Sequence, residues 1–438
     1  MTVRRDLPGL LGAGLVLAAV FAVATARIPL WRYFPGDQGI TLDFTKMLGA
    51  DIGQVTRQYI GVVLASFTAY AASLILVWRM ERRPPAWVLF GVPALCALVL
   101  LSMYPPTAVD MFHYHAASRV FWIYDANPLT VPPGNFPYPI GYSWAGQPSP
   151  YGPLWSILGG LVTVPAQDHY LAALYGFKVL AALSLLACSY LTWRLVERRW
   201  PGEGALAVVL LAWNPFVLLR VVGNGHNDLV MMAFVLLALE LTERRRWRWA
   251  FAALACSALV KFITVLLFPL FLAYCWQHAA STVRGRWRAV LEGCAVMAVM
   301  AITAFVPFWV GIATFDTVRG EADKMITSTA LAIGVAITGA PEEVDVNRAI
   351  LLVLRIVFVG LAALVWWQSR RDFPRLIVAC FTVLTLYLFL AGGWFRPWYL
   401  LWPVSIAALR PRSWMTPMLL AITLAGSFPD LVEQYRGE

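Results

Sequence analysis

The chain has 438 residues, of which 60% are hydrophobic and only 13% are charged. Soluble domains carry about 25% charged residues, so this composition excludes a water-soluble globular protein. Apolar runs close to the ~20 residues that cross a bilayer as a helix recur from end to end. These runs also exclude a membrane β-barrel, whose strands alternate apolar and polar residues over about 10 positions. We therefore expect an all-α polytopic membrane protein formed as a single domain over residues 1–438.

The net charge of +10 comes from 34 Lys and Arg against 24 Asp and Glu. In a soluble protein this excess would indicate nucleic-acid binding, but here most of the cations stand in short clusters between apolar runs. Such clusters mark loops that stay in the cytoplasm, which predicts that these loops are cytoplasmic. The clusters are Arg4-Arg5, Arg79 with Arg82-Arg83, Arg194 with Arg198-Arg199, Arg244 to Arg248, Arg284 to Arg288, Arg370-Arg371 with Arg375, and Arg410 with Arg412.

The first apolar run, Leu10 to Ala26, follows Arg4-Arg5 and ends in Ala24-Thr25-Ala26. A basic start and a small-residue end are also typical of a cleaved signal peptide. We favour an uncleaved first helix with a cytoplasmic N-terminus, because that orientation also places the later basic clusters on the inside.

With this orientation, the apolar runs predict a bundle of about 10–12 transmembrane helices, some of them short and re-entrant. The first re-entrant piece begins at about Leu154, and single crossings are expected at Ala205 to Val222 and at Leu229 to Leu241. The loops expected outside are 27–58, 105–151, 223–228, 312–348 and 392–399. The six cysteines lie inside apolar runs without a CxxC pair, which supports neither disulfides nor a zinc site.

The run from Trp249 to Trp276 has basic clusters at both ends, so it requires an even number of crossings within about 28 residues. Two short helices that meet near Lys261 satisfy this requirement. Non-helical backbone at membrane depth is tolerated where it is buried in protein or lines a cavity. The pattern therefore predicts a break near Lys261 beside a cavity.

Polar residues near the membrane collect on the side that is expected outside. Asp110, His113 and Tyr114 share one face if a helix starts at Asp110, because their spacing is i, i+3 and i+4. Asp110 is then either a general base that takes a proton from a hydroxyl nucleophile or the N-cap of that helix.

A glycine-flanked turn follows the run that ends at Val222, and its polar residues are Asn224, His226, Asn227 and Asp228. These side chains can bind sugar hydroxyls or phosphate, but the same residue types also form ordinary turns between two helices. His226 and Asp228 could contribute to a divalent metal site, although two nearby ligands do not indicate one.

Three cations remain with two interpretations each. Lys261, Arg396 and Arg220 can bind the phosphate of a substrate, or they can serve as structural anchors, with Lys261 extending its stem to the interface.

Several short motifs occur in an order that resembles the integral-membrane glycosyltransferases of the GT-C class. The closest similarity is to the bacterial polyprenyl-phosphate-mannose-dependent mannosyltransferases that build cell-envelope mannans, and it covers about residues 105–403. The motifs are Asp110 with Tyr114, Asn127-Pro128, Ser149-Pro150-Tyr151-Gly152-Pro153, Asn214-Pro215 followed by Gly225-His226-Asn227-Asp228, Leu259-Val260-Lys261, and Pro397-Trp398-Tyr399.

This resemblance implies a GT-C-type fold and transfer of a sugar, mannose first of all, from a polyprenyl-phosphate donor to a hydroxyl of a glycan or glycolipid. It implies a reaction on the outer face of the plasma membrane, without a certain cofactor, in which Asp110 is the base of an inverting displacement. Asp43 and Asp51 in the earlier outer loop are the alternative bases. The substrate-binding candidates are His113, Tyr114, Tyr151, Asn224, His226, Asn227, Asp228, Lys261 and Arg396.

The competing function is a flippase or transporter of lipid-linked saccharides, which would also need a charged cavity and broken helices. Transporters of that kind often contain two related halves. The sequence shows no internal repeat, and its polar residues lie towards one side, so both features favour the enzyme.

Overall fold

The computed structural model describes residues 6–34, 42–138, 144–341 and 343–429. The basic pair Arg4-Arg5, the C-terminal residues beyond 429, and parts of the loops expected at 27–58 and 105–151 lie outside these ranges. Within the described residues no β-strand forms, and helices account for most of the chain. The prediction of an all-α polytopic membrane protein is confirmed.

The described part of the first half contains ten α-helices. They are α1 Asp6–Arg27, α2 Leu30–Tyr33, α3 Phe44–Leu48, α4 Ile52–Arg79, α5 Ala86–Leu101, α6 Asp110–Trp122, α7 Pro153–Ala166, α8 Tyr170–Arg199, α9 Gly204–Ala212 and α10 Pro215–Leu218.

The described part of the second half contains ten more. They are α11 Asp228–Glu243, α12 Trp247–Val260, α13 Phe268–His278, α14 Val283–Phe305, α15 Asp316–Asp323, α16 Thr329–Thr338, α17 Val344–Ser369, α18 Phe373–Leu386, α19 Leu401–Ala407 and α20 Met415–Ala425. Single π-helical turns extend α10 over Leu219–Gly223 and α18 over Tyr387–Ala391.

Six of the described helical segments are long and apolar enough to cross a membrane, and the bent pair α9 and α10 makes a seventh. The long segments begin with α1, α4, α8, α14, α17 and α18. Six further apolar helices, of 10–17 residues, are shorter than a full crossing. The expected count of about 10–12 crossings therefore stays a prediction that depends on how the shorter helices pair.

The chain divides into two compact units, each with its own buried core. Unit 1 comprises residues 1–148, 156–233 and 408–438, and unit 2 comprises residues 149–155 and 234–407. The expected single domain stays a prediction.

In unit 1, α1 packs on α4 and α5, and α8 packs on α5 and α9. Large side chains complete their polar contacts inside this core. The Trp213 indole donates to the Leu89 carbonyl at 3.1 Å, and the Tyr70 hydroxyl donates to the Leu210 carbonyl at 2.9 Å. Buried Trp and Tyr need such partners, since an unpaired polar atom in an apolar core is costly.

In unit 2, α12 packs on α14, and α18 packs on α17 and α19. Only 6% of the most apolar window of α14 is buried inside the protein, and 11% of that of α17. Exposed apolar faces of this extent suit contact with lipid rather than with water.

The single crossing expected from Ala205 to Val222 stays a prediction, and the segment bends by 52° between α9 and α10. Pro215 has no N–H to continue the helix of α9 and begins α10 instead. Asn214 caps α10 by accepting the Phe216 N–H at 3.0 Å, and its amide contacts the Thr423 hydroxyl at 3.2 Å.

The break expected near Lys261 is confirmed. Helix α12 ends at Val260, Lys261 is extended at φ −150° and ψ 119°, and a 3-10 turn over Phe262–Leu267 leads into α13.

Candidate functional site

Helix α6 begins at Asp110, which confirms the helix expected there. The N-cap residue is Val109, so the alternative in which Asp110 is the N-cap is wrong. Asp110 occupies the first turn and is half-buried, whereas His113 and Tyr114 are 5% and 2% exposed. Because the helix begins at Asp110, positions 110, 113 and 114 share one helix face, as the i, i+3 and i+4 spacing predicts.

The polar turn from Asn224 to Asp228 packs against this helix in unit 1. Gly225 has φ +76°, and a Cβ at that position would lie 2.8 Å from the Met111 sulfur. A glycine is required here both by its conformation and by the close approach of α6. All four polar side chains of the turn are at most 1% exposed.

Tyr114 joins the turn to α6. Its hydroxyl donates to the Asn227 side-chain oxygen at 3.3 Å and lies 3.5 Å from Nδ1 of His226. That imidazole nitrogen lies 4.0 Å from a carboxylate oxygen of Asp228. The structure thus brings together four of the residues singled out from the sequence, Tyr114, His226, Asn227 and Asp228.

Asn224 and Arg220 bind the loop that precedes Asp110. The Asn224 amide donates to the Thr107 hydroxyl at 2.7 Å, and its oxygen accepts the Thr107 N–H at 3.1 Å. Arg220 donates to the same hydroxyl and, at 3.0 Å, to the Gly426 carbonyl. For Arg220 these contacts favour the structural interpretation over the phosphate one, and for Asn224 a substrate contact stays a prediction.

Burial keeps two imidazoles of α6 neutral. It lowers the pKa of His113 to about 4 and the pKa of His115 to about 3, because a charged ring loses its hydration inside the protein. Arg119 lowers the pKa of His115 further. A neutral imidazole can donate a hydrogen bond to a substrate hydroxyl or accept one from it. It carries no positive charge that would bind phosphate.

Unit 2 holds the second group of candidates, around the break at Lys261. The Lys261 ammonium lies 5.6, 5.0 and 5.5 Å from the ring centres of Tyr151, Tyr399 and Trp402. The rings of Tyr399 and Trp402 stack with centres 4.6 Å apart. Aromatic faces attract a cation, so they hold the charge of Lys261 at a fixed point.

The segment that carries Tyr151 pairs directly with the break. The Gly152 N–H donates to the Val260 carbonyl at 3.0 Å, and a Cβ on Gly152 would lie 2.1 Å from the Leu259 carbonyl oxygen. The motifs Ser149 to Pro153 and Leu259 to Lys261 therefore form one contact. This close backbone approach explains the need for glycine at position 152.

Arg396 lies beside a different ring. Its guanidinium is 4.8 Å from the ring centre of Trp394, and the Lys324 ammonium is 4.7 Å from the same ring. Lys324 also pairs with Glu321. The loop that carries Arg396 is held by backbone hydrogen bonds between residues 326–327 and 393–395, each of 3.2 Å.

The two alternative bases both cap helices. Asp43 caps α3 and Asp51 caps α4, each accepting the backbone N–H three residues later, at 3.2 and 2.8 Å. Hydrogen bonds from Thr45 and Lys46 lower the pKa of Asp43 to about 2, which makes it a weak base. These roles favour Asp110 over both residues.

Reasoning from the sequence missed Thr107 and Trp402 in these clusters, and also Lys178, whose ammonium donates to the Met103 and Gly223 carbonyls beside the first cluster. Thr107 and Trp402 gave no signal, because their partners are distant along the chain. Lys178 did give one, since it is a single cation within the apolar run of α8. A lone ionisable residue within a membrane-spanning helix marks a functional or structural contact.

Within the described residues, no three His, Cys, Asp or Glu side chains lie close enough to hold a metal ion. The six cysteines are all free thiols.

Comparison with known proteins identifies the family of the chain. A family model described as "Alpha-(1->6)-mannopyranosyltransferase, N-terminal domain" matches residues 7–278. Alpha-(1->6)-mannopyranosyltransferases A and B of Corynebacterium glutamicum are similar to the chain. Protein A is 22% identical over 310 residues, which cover 65% of this chain and 63% of protein A. Protein B is 24% identical over 386 residues, which cover 80% of this chain and 62% of protein B.

Alpha-(1->6)-mannopyranosyltransferase A of Mycobacterium tuberculosis is 24% identical over 286 residues, which cover 60% of this chain and 53% of that protein. The chain therefore spans less than two thirds of the length of these three relatives. The family model nevertheless matches more than half of the chain, in agreement with the resemblance seen in the motifs. The chain belongs to the alpha-(1->6)-mannopyranosyltransferase family.

Proposed function

We propose that the chain transfers a mannosyl group from a polyprenyl-phosphate donor to a hydroxyl of a glycan or glycolipid on the outer face of the plasma membrane. Membership of the family carries the reaction class. The half-buried carboxylate of Asp110, at the start of a helix whose Tyr114 contacts the polar turn, supports the assignment of the base.

The proposed reaction is a single displacement. Asp110 accepts the proton of the acceptor hydroxyl, and the oxygen forms a bond to the anomeric carbon of the donor. The bond between that carbon and the phosphate oxygen breaks, and the lipid phosphate leaves with the electron pair. Lys261 and Arg396 are assigned to the phosphate, because a positive charge fixed in advance stabilises the negative charge that develops on the leaving group.

The names of the relatives add stereochemistry and regiochemistry to this proposal. A single displacement inverts the anomeric centre, so an α-linked product requires a donor in which mannose is β-linked to phosphate. A 1→6 linkage requires the primary hydroxyl of an acceptor mannose. A primary hydroxyl ionises far above neutral pH, so its attack needs a base such as Asp110.

The test is transfer of radiolabelled mannose by the purified chain in detergent, with synthetic β- and α-configured polyprenyl-phosphate mannose and a manno-oligosaccharide acceptor. We expect transfer from the β donor, and we expect Asp110→Asn to lower kcat at least about 100-fold while thermal unfolding is unchanged. The control is Asp316→Asn, which changes an exposed carboxylate in unit 2.

Transfer that survives in Asp110→Asn would move the base to Asp43 or Asp51. The competing function, a flippase for lipid-linked saccharides, predicts a different result. The wild-type chain would then transfer no sugar from any donor but would move lipid-linked sugar across liposomes.

A further inference from the structure

Lys178 is a buried cation that no step of the proposed reaction uses. It lies eight residues after the start of α8, and its side chain has no solvent exposure. Its ammonium donates hydrogen bonds to the carbonyls of Leu100 at 2.9 Å, Met103 at 2.5 Å and Gly223 at 2.8 Å. A lysine ammonium has three N–H groups, and these three contacts use all of them.

The three acceptor carbonyls belong to the ends of two separate helices. Leu100 and Met103 lie at and just beyond the C-terminus of α5, and Gly223 ends the π-helical turn after α10. Carbonyls at helix ends carry the negative end of the helix dipole and can accept hydrogen bonds from outside the helix, as the Leu100 carbonyl does beside the Met103 N–H that it also accepts. A single ammonium therefore satisfies two helix ends and holds them together.

Each of these ends leads directly into the candidate site of unit 1. The chain continues from Met103 to Thr107 and then to Asp110, and from Gly223 into the polar turn at Asn224. The reciprocal hydrogen bonds between Thr107 and Asn224 form a second connection between the same two segments. The Lys178 contacts and the Thr107–Asn224 pair thus join the same two segments twice. Together they fix how the α6 helix and the polar turn face each other.

We infer that Lys178 is a positioning residue that sets the placement of Asp110 and Tyr114 relative to the turn at residues 224–228. The inference rests on the proposed function, because Asp110 is the proposed base. Lys178 contacts neither substrate nor reacting atoms. It acts through the two backbone segments that it joins, because its three hydrogen bonds go to carbonyls of both segments.

The test compares Lys178→Met and Lys178→Gln with the wild type in the mannosyl-transfer assay and in hydrogen–deuterium exchange. Met removes every donor, whereas Gln keeps two on a shorter side chain. We expect Lys178→Met to lower kcat about 100-fold, the loss caused by ~1 Å of misplacement, with little change in the KM of the donor. We expect the loss in Lys178→Gln to be intermediate.

The exchange measurement separates positioning from a general loss of stability. Peptides covering residues 103–110 and 222–228 should both exchange faster in Lys178→Met, while peptides of α4 remain protected. The matched control is Ser189→Ala in the same helix, since that buried hydroxyl bonds only within α8, to the Leu185 carbonyl at 2.6 Å. This variant should keep wild-type kcat and exchange.

Wild-type kcat in Lys178→Met, or a lowered kcat without faster exchange in both segments, would overturn the inference. If Lys178→Met does not fold, Lys178→Gln decides, and an unchanged kcat in that variant has the same meaning. A wild-type chain that transfers no mannose refutes the proposed function instead, and the exchange data then still decide whether Lys178 joins the two segments.

Discussion

The Lys261 ammonium lies beside three aromatic rings, those of Tyr151, Tyr399 and Trp402. The rings hold the ammonium without neutralising it, because an aromatic face attracts a cation but carries no net charge. The three rings lie around the Lys261 ammonium, which is the group we propose to contact the donor phosphate.

Lys261→Met should lower kcat for mannosyl transfer about 100-fold, the loss typical of removing one electrostatic contact to a transition state. The same assay and a thermal unfolding curve measure the effect. Arg319→Gln, which removes an exposed cation of unit 2, is the matched control and should leave kcat unchanged. A variant that loses stability but keeps its kcat would show that the contact between Lys261 and the three rings is structural.

The buried imidazoles of α6 make stability depend on pH. The folded-state pKa of His113 is about 4 and that of His115 about 3, and both lie below the ordinary value of about 6.5. The unfolded chain therefore binds protons first as the pH falls. The stability from these groups is complete above about pH 6.5 and decreases towards pH 4, by about 1.4 kcal/mol per pH unit for each imidazole.

Replacing one of the two imidazoles should halve this dependence. We expect the melting temperature of His115→Gln to fall less between pH 6.5 and pH 4 than that of the wild type, as measured in one detergent at constant ionic strength. His169→Gln, at an exposed position, should keep the wild-type slope. Equal slopes in all three proteins would contradict the prediction.

At the scale of elements, the contact between the segment 149–153 and the end of α12 depends on backbone atoms that touch. Because a Cβ on Gly152 would lie 2.1 Å from a carbonyl oxygen, the backbone would have to move to accept it. Such a displacement would shift Tyr151 away from Lys261 and leave the ammonium with two neighbouring rings instead of three.

Gly152→Ala should therefore lower both the melting temperature and kcat, with a cost of unfolding free energy of about 1–3 kcal/mol, as for overpacking elsewhere. Gly320→Ala is the control, since a Cβ there meets nothing within 4 Å and alanine favours the helix α15. If Gly152→Ala matches the wild type in both measurements, the close contact does not hold the segment.

The sequence predicts a helix break or bend only where the residue pattern contains a signal for it. The break at Lys261 was predictable, because basic clusters at both ends of a short apolar run admit only an even number of crossings. The bend at Pro215 was missed because the run from Ala205 to Val222 has the length of one crossing. The proline itself was the available signal.

Contacts within the candidate site were predictable only in part. The spacing of Asp110, His113 and Tyr114 predicts a shared helix face, which the structure confirms. That Tyr114 reaches Asn227 depends on the packing of segments more than 100 residues apart, and local periodicity contains no information on such packing. The same limit hid Thr107 and Trp402.

At the scale of the whole molecule, the arrangement of basic clusters predicts which loops face the cytoplasm. Gly146 lies in a loop expected outside, and Arg199 lies at the basic end of α8; both positions are exposed. A cysteine introduced at either position should therefore be accessible from one side of the membrane only.

In intact cells, a membrane-impermeant maleimide should label Gly146→Cys but not Arg199→Cys, and permeabilised cells should label both. The wild-type chain measures the background, because none of its six cysteines is exposed beyond an intermediate degree. Labelling of Arg199→Cys alone in intact cells would reverse the orientation and move the proposed reaction to the cytoplasmic face.

The carbonyl contacts of Lys178 also bear on how the protein is made. A cation within a membrane-spanning helix costs up to about 2.5–3.5 kcal/mol during insertion, the value for the helix centre. When α8 enters the bilayer, Leu100 and Met103 have already been synthesised, but Gly223 has not. Two of the three acceptors can thus receive the charge at once, and the third completes the set only when α10 arrives. We therefore expect the insertion of α8 to depend on α5, whose C-terminal end offers the first acceptors for Lys178.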